Sequence, residues 1–209
     1  MVLSDLFIFL AIFLGIYSFL LYWDEIAAED ISVGHQYDEG STDENLHEGE
    51  PHPITFLIWI STQAVATAGM IEGRSFRGYI YYLIGTVLYL GILGKTLKRQ
   101  GLKNVSKLDV IAVIGVVIGS IVTWQIMPLS AVGFAGFVEW IAFWFTFRKL
   151  WNKPRSEPVK AWVISTASNI FAILALDNYN ELTLTYVLMV SLGNFLVIGI
   201  ALVRRRFVT

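Results

Sequence analysis

The sequence predicts an all-α integral membrane protein with seven transmembrane helices, and three observations predict it. Seven apolar stretches, roughly 5–23, 54–71, 76–94, 108–125, 129–147, 160–176 and 182–203, are each about long enough to cross a ~30 Å hydrocarbon core as a helix. The basic residues fall on alternate connections: 13 of the 15 lie on one side of such a bundle, and only Arg74 and Arg77 on the other. Of the 209 residues, 56% are hydrophobic and 15% charged, and mean hydropathy is +0.62. A soluble domain carries about a quarter charged residues. The positive-inside rule then places the N-terminus outside and the C-terminus in the cytoplasm of a multi-pass plasma (inner) membrane protein.

Element by element, the first stretch reads as a retained helix and not a cleaved signal, because no Lys or Arg precedes Arg74 and Asp5 precedes the apolar run. Tyr17 and Ser18 lie near its middle. Residues 24–53 hold ten of the seventeen carboxylates and all three histidines, His35, His47 and His52, without a basic residue. Such a segment cannot bury enough apolar surface to fold alone. It reads as a solvated acidic linker, or else as a divalent-metal or partner-binding loop through Asp38, Asp43, Glu44, Glu48 and Glu50. The second stretch carries Ser61, Thr62 and Gln63 at its middle and ends at an outer turn flanked by Gly73 and Gly78. The third carries Tyr82 and Thr86, then Lys95, Lys98, Arg99, Lys103 and Lys107 on an inner loop.

The fourth stretch has its polar residues, Ser120, Thr123, Trp124 and Gln125, toward the outer end, and Gly115 with Gly119 marks close helix packing. A very tight outer turn, Met127-Pro128-Leu129, leads to the fifth stretch, which carries Glu139 about midway and is followed by Arg148, Lys149, Lys153, Arg155 and Lys160. Asn169 lies midway along the sixth stretch. Asp177 to Glu181 make the last outer turn, and Asn194 lies midway along the seventh before Arg204, Arg205 and Arg206. Trp23, Trp151 and Tyr179 suit the interfacial belts.

An internal repeat organises these elements. Glu50-Pro51 with Trp59-Ile60-Ser61-Thr62 opens the second stretch, and Glu157-Pro158 with Trp162-Val163-Ile164-Ser165-Thr166 opens the sixth, about 104 residues on. The chain divides as a first three-helix repeat at 1–94, with 24–53 as an insertion, a linker helix within 95–128, and a second three-helix repeat at 129–209. One linker crossing gives the two repeats the same orientation, as in parallel-repeat carriers.

Several motifs carry a resemblance. Pro51-His52-Pro53-Ile54-Thr55-Phe56-Leu57-Ile58-Trp59 resembles the opening motif of a group of small uncharacterised bacterial seven-helix membrane proteins. The stretch from Glu139 to Phe147-Arg148-Lys149 is similar to the same group. So are Leu174-Ala175-Leu176-Asp177-Asn178-Tyr179, Asn194 with the terminal arginines, and Gly15-Ile16-Tyr17-Ser18 with Tyr22. More distantly the pattern resembles the PQ-loop, SWEET and PnuC transporter superfamily, which implies a 3+1+3 helix arrangement, an external N-terminus and carriage of a sugar-, vitamin- or nucleoside-like solute.

The polar residues at mid-depth carry the functional argument. Glu139 is the only carboxylate at that depth, and a charge there costs at least ~2.5–3.5 kcal/mol, so it should face the bundle interior and be paired or protonated. With Asn169, Asn194, Gln63, Thr62, Tyr82 and Thr86 it forms the candidate substrate-binding set, the distribution a midplane site between two repeats needs. The competing reading is that Ser, Thr and Asn glue helices together at ~0.6 kcal/mol each, and that Glu139 makes a structural hydrogen bond.

With no cysteine there is no thiolate chemistry, no lysine in 182–203 could hold retinal, and neither a P-loop nor a His-Glu-x-x-His motif is present. No enzyme activity, cofactor or metal is expected. The implied partners are the lipid bilayer and a small-molecule solute, with a homo-oligomer left open and nucleic acid excluded. Two readings stand: a transporter of a small polar or aromatic solute, favoured by a solvated midplane cavity, and a non-transporting receptor or assembly subunit using its acidic loop, favoured by a fully packed bundle.

Overall fold

The computed structural model describes residues 3–33, 53–100, 105–152, 154–155 and 157–207, which form seven helices and no strand. They are α1 (Leu3–Val33), α2 (Pro53–Glu72), α3 (Phe76–Gln100), α4 (Lys107–Ile126), α5 (Pro128–Asn152), α6 (Val159–Ala175) and α7 (Glu181–Phe207). Each apolar stretch is the centre of one helix. Helices α1, α3, α5 and α7 also run on into residues that the charge pattern marks as loop. Asp24 to Asp30, Lys95 to Arg99, Arg148 and Lys149, and Arg204 to Arg206 are all helical. A helix satisfies its own backbone beyond the apolar layer, and basic side chains on a last turn face the negative end of the macrodipole. The acidic segment from 34 to 52, with the three histidines and the first motif's Pro51-His52, lies outside the described residues, as do Lys103 and Lys153.

Five helices are long and apolar enough to cross a membrane: Leu3–Leu21, Ile54–Glu72, Phe76–Lys98, Pro128–Asn152 and Glu181–Phe207. Val110–Ile126 and Val159–Ala175, 17 residues each, are shorter apolar helices outside those five. At 1.5 Å per residue, the 17 residues of α6 cover roughly 25 Å. Large apolar side chains are exposed along α1, α3, α4, α5 and α7, among them Phe9, Phe13, Val87, Ile111, Ile121, Phe137, Trp144, Leu192 and Leu202. Contiguous apolar area of this kind suits hydrocarbon and not water.

Packing follows a pattern that exchange of α1, α2 and α3 with α5, α6 and α7 leaves unchanged. Helix α1 packs on α6 as α5 does on α2, α2 on α3 as α6 on α7, α1 on α3 as α5 on α7, and α3 on α6 as α7 on α2. Helix α4 packs against α5 and α2. Of its two glycines, Gly119 makes room for the Phe134 ring, which a Cβ there would meet at 2.6 Å, whereas Gly115 faces open space. Close approach also sets α5 against α7: a Cβ on Gly193 would lie 2.3 Å from the Phe143 ring, and one on Gly136 2.3 Å from Met189 Sδ.

Hydrogen bonds define two ends of the bundle. At one, Arg77 at the start of α3 bonds Asp5 of α1 (Nη2 to Oδ1, 2.5 Å) and pairs with Asp177 of the α6–α7 turn through both its guanidinium and its backbone N–H. Asn180 Nδ2 donates to Gly73 O at 2.9 Å across the same two turns. At the other end, Arg204 caps Trp151 O, and Arg205 donates to Pro154 O and Glu157 O, each at 2.8 Å. Lys95 Nζ stands 3.4 Å from the Trp23 ring centroid and Arg204 4.7 Å from that of Trp151. These two cation–π pairs correspond under the same exchange of helices.

The cores complete the picture. Toward the Arg77 end a single cluster joins both triplets: Ala66, Met70, Tyr82, Val132, Ala135, Leu176, Tyr186 and Val187. Toward the Arg204 end there are two, Phe56, Ile92 and Leu93 in the first triplet and Phe143, Leu150, Val197 and Ala201 in the second. The triplets are fused at one end and separately packed at the other.

Candidate functional site

A cavity of about 160 Å³ lies between the triplets where their cores part. Its walls come from α1, α2, α3, α5, α6 and α7. The lining falls between Tyr81 and Ile92 on α3, Glu139 and Thr146 on α5, and Tyr186 and Asn194 on α7. Helix α4 contributes nothing. Aromatic rings make much of the wall: Trp59, Tyr81, Tyr82, Tyr89, Phe143, Trp162 and Tyr186. No lysine, arginine or histidine lines it among the described residues, and Glu139 is its one carboxylic acid.

Glu139 is held from two directions. Its Oε1 accepts from Thr62 Oγ1 of α2 at 2.7 Å and from Tyr186 Oη of α7 at 2.5 Å. The side chain is 6% exposed, Thr62 0% and Tyr186 1%. The other oxygen, Oε2, accepts no hydrogen bond and meets no basic group among the described residues. Thr62 Oγ1 also lies 3.0 Å from Trp59 O, an alternative acceptor on its own helix. The hydroxyl can therefore donate to an ionised Glu139, or turn to Trp59 O and accept from a protonated one. The network satisfies either state without moving a heavy atom.

Across the cavity a second tyrosine does the corresponding work. Tyr81 Oη of α3 donates to Asn169 Oδ1 at 2.8 Å and lies 2.9 Å from Ser168 Oγ, both on α6. Ser168 Oγ in turn donates to Ala11 O of α1 at 2.7 Å. A Cβ on Gly15 would lie 3.1 Å from Ser168 Oγ, so a larger residue there would crowd this junction. Ser18 Oγ donates to Ala161 O at 2.8 Å and completes the α1–α6 seam. Tyr186 Oη also reaches Thr62 Oγ1 of α2 at 3.3 Å, so Tyr81 and Tyr186 each extend from the third helix of one triplet to the second helix of the other.

Polar atoms without partners concentrate here. Four buried side-chain atoms make no hydrogen bond among the described residues, and three belong to cavity-lining residues: Gln63 Oε1, Tyr82 Oη and Asn169 Nδ2. Leaving a buried donor or acceptor unsatisfied costs about 1–3 kcal/mol. Three at one cavity mark a place built to pair with something else. The Asn169 amide can serve either way: as placed it offers an N–H, and turned over it offers an oxygen while its N–H continues the chain through Tyr81 and Ser168 to Ala11 O.

Of the seven residues singled out from the sequence, the structure brings Glu139, Asn169, Asn194, Gln63 and Tyr82 to the cavity wall. Thr62 stands directly behind Glu139 as its hydrogen-bond donor. Thr86 is not brought there: its hydroxyl returns to Tyr82 O at 2.9 Å, the ordinary i−4 back-bond of a helical threonine. Asn194 Nδ2 donates to Ser165 Oγ at 3.2 Å. Depth alone misses Tyr81 and Tyr186. They lie 105 residues apart, within one residue of the repeat offset, and that signal is present in the sequence. No protein-family model, curated protein or solved structure matches the chain.

Proposed function

We propose that this chain is a carrier for a small polar or aromatic solute in the plasma (inner) membrane. In this reading it crosses seven times as two parallel three-helix repeats, α1–α3 and α5–α7, joined by α4, with the N-terminus outside. The observation that carries the proposal is the cavity between the triplets, with its three unpaired buried polar groups and Glu139. A receptor or assembly subunit has no use for unpaired groups in the middle of its bundle. The repeat is supported by the exchange symmetry of the packing, the paired tyrosines and the back-bonds from Thr62 to Trp59 O and Thr166 to Trp162 O. The resemblance to PQ-loop, SWEET and PnuC carriers rests on the quoted motifs and is part of the proposal. Helix α6, with 17 residues, is at the short end of the range for a span, and it packs against α1, α3 and α7.

The Arg204 end, which carries thirteen of the fifteen basic residues, is then cytoplasmic, and the cavity faces the cytoplasm. Opening to the other side requires the shared core and the Arg77 pairs with Asp5 and Asp177 to part while the separate cores close. The chain contains no cysteine, so one introduced thiol gives a clean readout. In oriented proteoliposomes, Ser165→Cys, on the cavity wall, is expected to react with an impermeant thiol reagent quickly from the Arg204 face and slowly from the Arg77 face. Arg77→Gln should raise the slow rate. Reaction from one face only, in both backgrounds, would identify a dead-end pocket and remove the carrier reading.

A further inference from the structure

We infer that the cavity takes an organic cation, a substituted ammonium or a small cationic ring, and that Glu139 binds it in competition with a proton. The inference rests on the carrier reading and assigns its solute class.

The first argument is charge. A carboxylate buried to 6% exposure normally has a cationic partner. Glu139 has two hydroxyl donors on one oxygen, nothing on the other, and no lysine, arginine or histidine in the cavity wall among the described residues. The counter-charge is absent from those residues, so a ligand or a proton must supply it. An anionic solute would meet Glu139 with no compensating base and is disfavoured. A neutral sugar would find acceptors and donors but would leave the charge unmatched.

The second argument is the wall. Trp59, Tyr89, Phe143 and Trp162 place aromatic rings around the same space. Ring faces are electron-rich and attract a desolvated cation. Their area also suits the apolar groups of a substituted ammonium better than the hydroxyls of a sugar. Size agrees: a cavity near 150 Å³ holds a benzene, and this one is about 160 Å³. Gln63 Oε1, Tyr82 Oη and Asn169 Nδ2 remain to orient a polar substituent.

The third argument is the two-state hydrogen-bond network. Thr62 can donate to Glu139 or to Trp59 O, so Glu139 is satisfied both as an anion beneath a bound cation and as a neutral acid without one. One carboxylate that holds either a proton or a cation exchanges the two. The other titratable groups facing it are Tyr186 from α7 and Tyr81, Tyr82 and Tyr89 from α3. Helix α2 places none in the cavity and α4 no residue at all, so Glu139 is the one carboxylate facing the space among the described residues.

Matched isosteres test this on the purified wild-type protein, read by tryptophan fluorescence and calorimetry. Choline is compared with 3,3-dimethylbutan-1-ol, and N-methylpyridinium with toluene. The expected result is at least tenfold tighter binding of each cation than of its neutral isostere. Cation binding should weaken as pH falls from 8 to 5, because protons occupy the same carboxylate. In Glu139→Gln both the preference and the pH dependence should vanish. Equal binding of the members of each pair, or tighter binding of the neutral ones, overturns the cation assignment and leaves the carrier reading standing. Binding of neither member of either pair overturns both. The isostere comparison needs no variant, so a Glu139→Gln protein that fails to fold does not affect it.

Discussion

Arg74 is the residue at which local backbone chemistry and tertiary packing compete most openly. It has φ +57°, the left-handed conformation, and closes α2 with Arg74 N–H to Ile71 O at 3.0 Å and Ser75 N–H to Met70 O at 2.8 Å. This is the Schellman arrangement, whose left-handed position glycine normally fills. Glycine is present one residue earlier, at 73, where packing demands it: a Cβ there would lie 2.6 Å from Thr183 Cγ2 and 3.1 Å from Asn180 Oδ1. The close approach of the α6–α7 turn takes the glycine, and an arginine is left with the strained dihedral. Arg74→Gly is therefore expected to stabilise the protein by ~1 kcal/mol, seen as a higher midpoint of unfolding in detergent. No change would mean that the arginine side chain makes a compensating contact.

At the scale of elements, glycines decide how closely helices approach. Gly193 on α7 faces the Phe143 ring of α5, and an added Cβ at 2.3 Å cannot be accommodated without moving the ring or the helix. Gly193→Ala is expected to destabilise by about 1–3 kcal/mol as an overpacking substitution. Gly199, further along the same helix, has open space where a Cβ would stand, with no atom within 4 Å. There the helix propensity of alanine should dominate, and Gly199→Ala should stabilise by about 0.5–1 kcal/mol. Denaturant unfolding of both variants checks the pair. Equal effects would mean that α5 and α7 are not in the contact described. Phe143 also lines the cavity, so the Gly193 variant should perturb ligand binding and the Gly199 variant should not.

For the whole molecule, the two ends differ in what holds them together. The Arg77 end has a core common to both triplets and interlocked turns, and the Arg204 end has two cores with a cavity between. On the proposed topology, with the Arg204 end in the cytoplasm, Asn178→Cys in the α6–α7 turn should react with an impermeant thiol reagent added outside intact cells. Arg155→Cys, before α6, should react only after the cells are opened. The reverse pattern would invert the topology, and equal reaction of both from outside would mean that α6 does not cross.

The number, order and approximate extent of the helices were legible in the sequence, because apolar length and the placement of lysine and arginine are properties of the chain alone. The repeat that forms part of the proposal is argued from the sequence by Trp59-Ile60-Ser61-Thr62 and Trp162 to Thr166. The isolation of Glu139 was legible too, since only one carboxylate falls midway along an apolar stretch. Depth along a helix can be counted from residues, and five of the seven residues it selects reach the cavity wall. Rotation about the helix axis cannot be counted that way, because helices apolar on every face give no period from which to read a buried side. That is why depth points to Thr86 and passes over Tyr81 and Tyr186. Which helices meet, that Tyr186 and Thr62 converge on Glu139, and that the triplets part at one end only were decided by tertiary packing, through contacts between residues far apart in the chain.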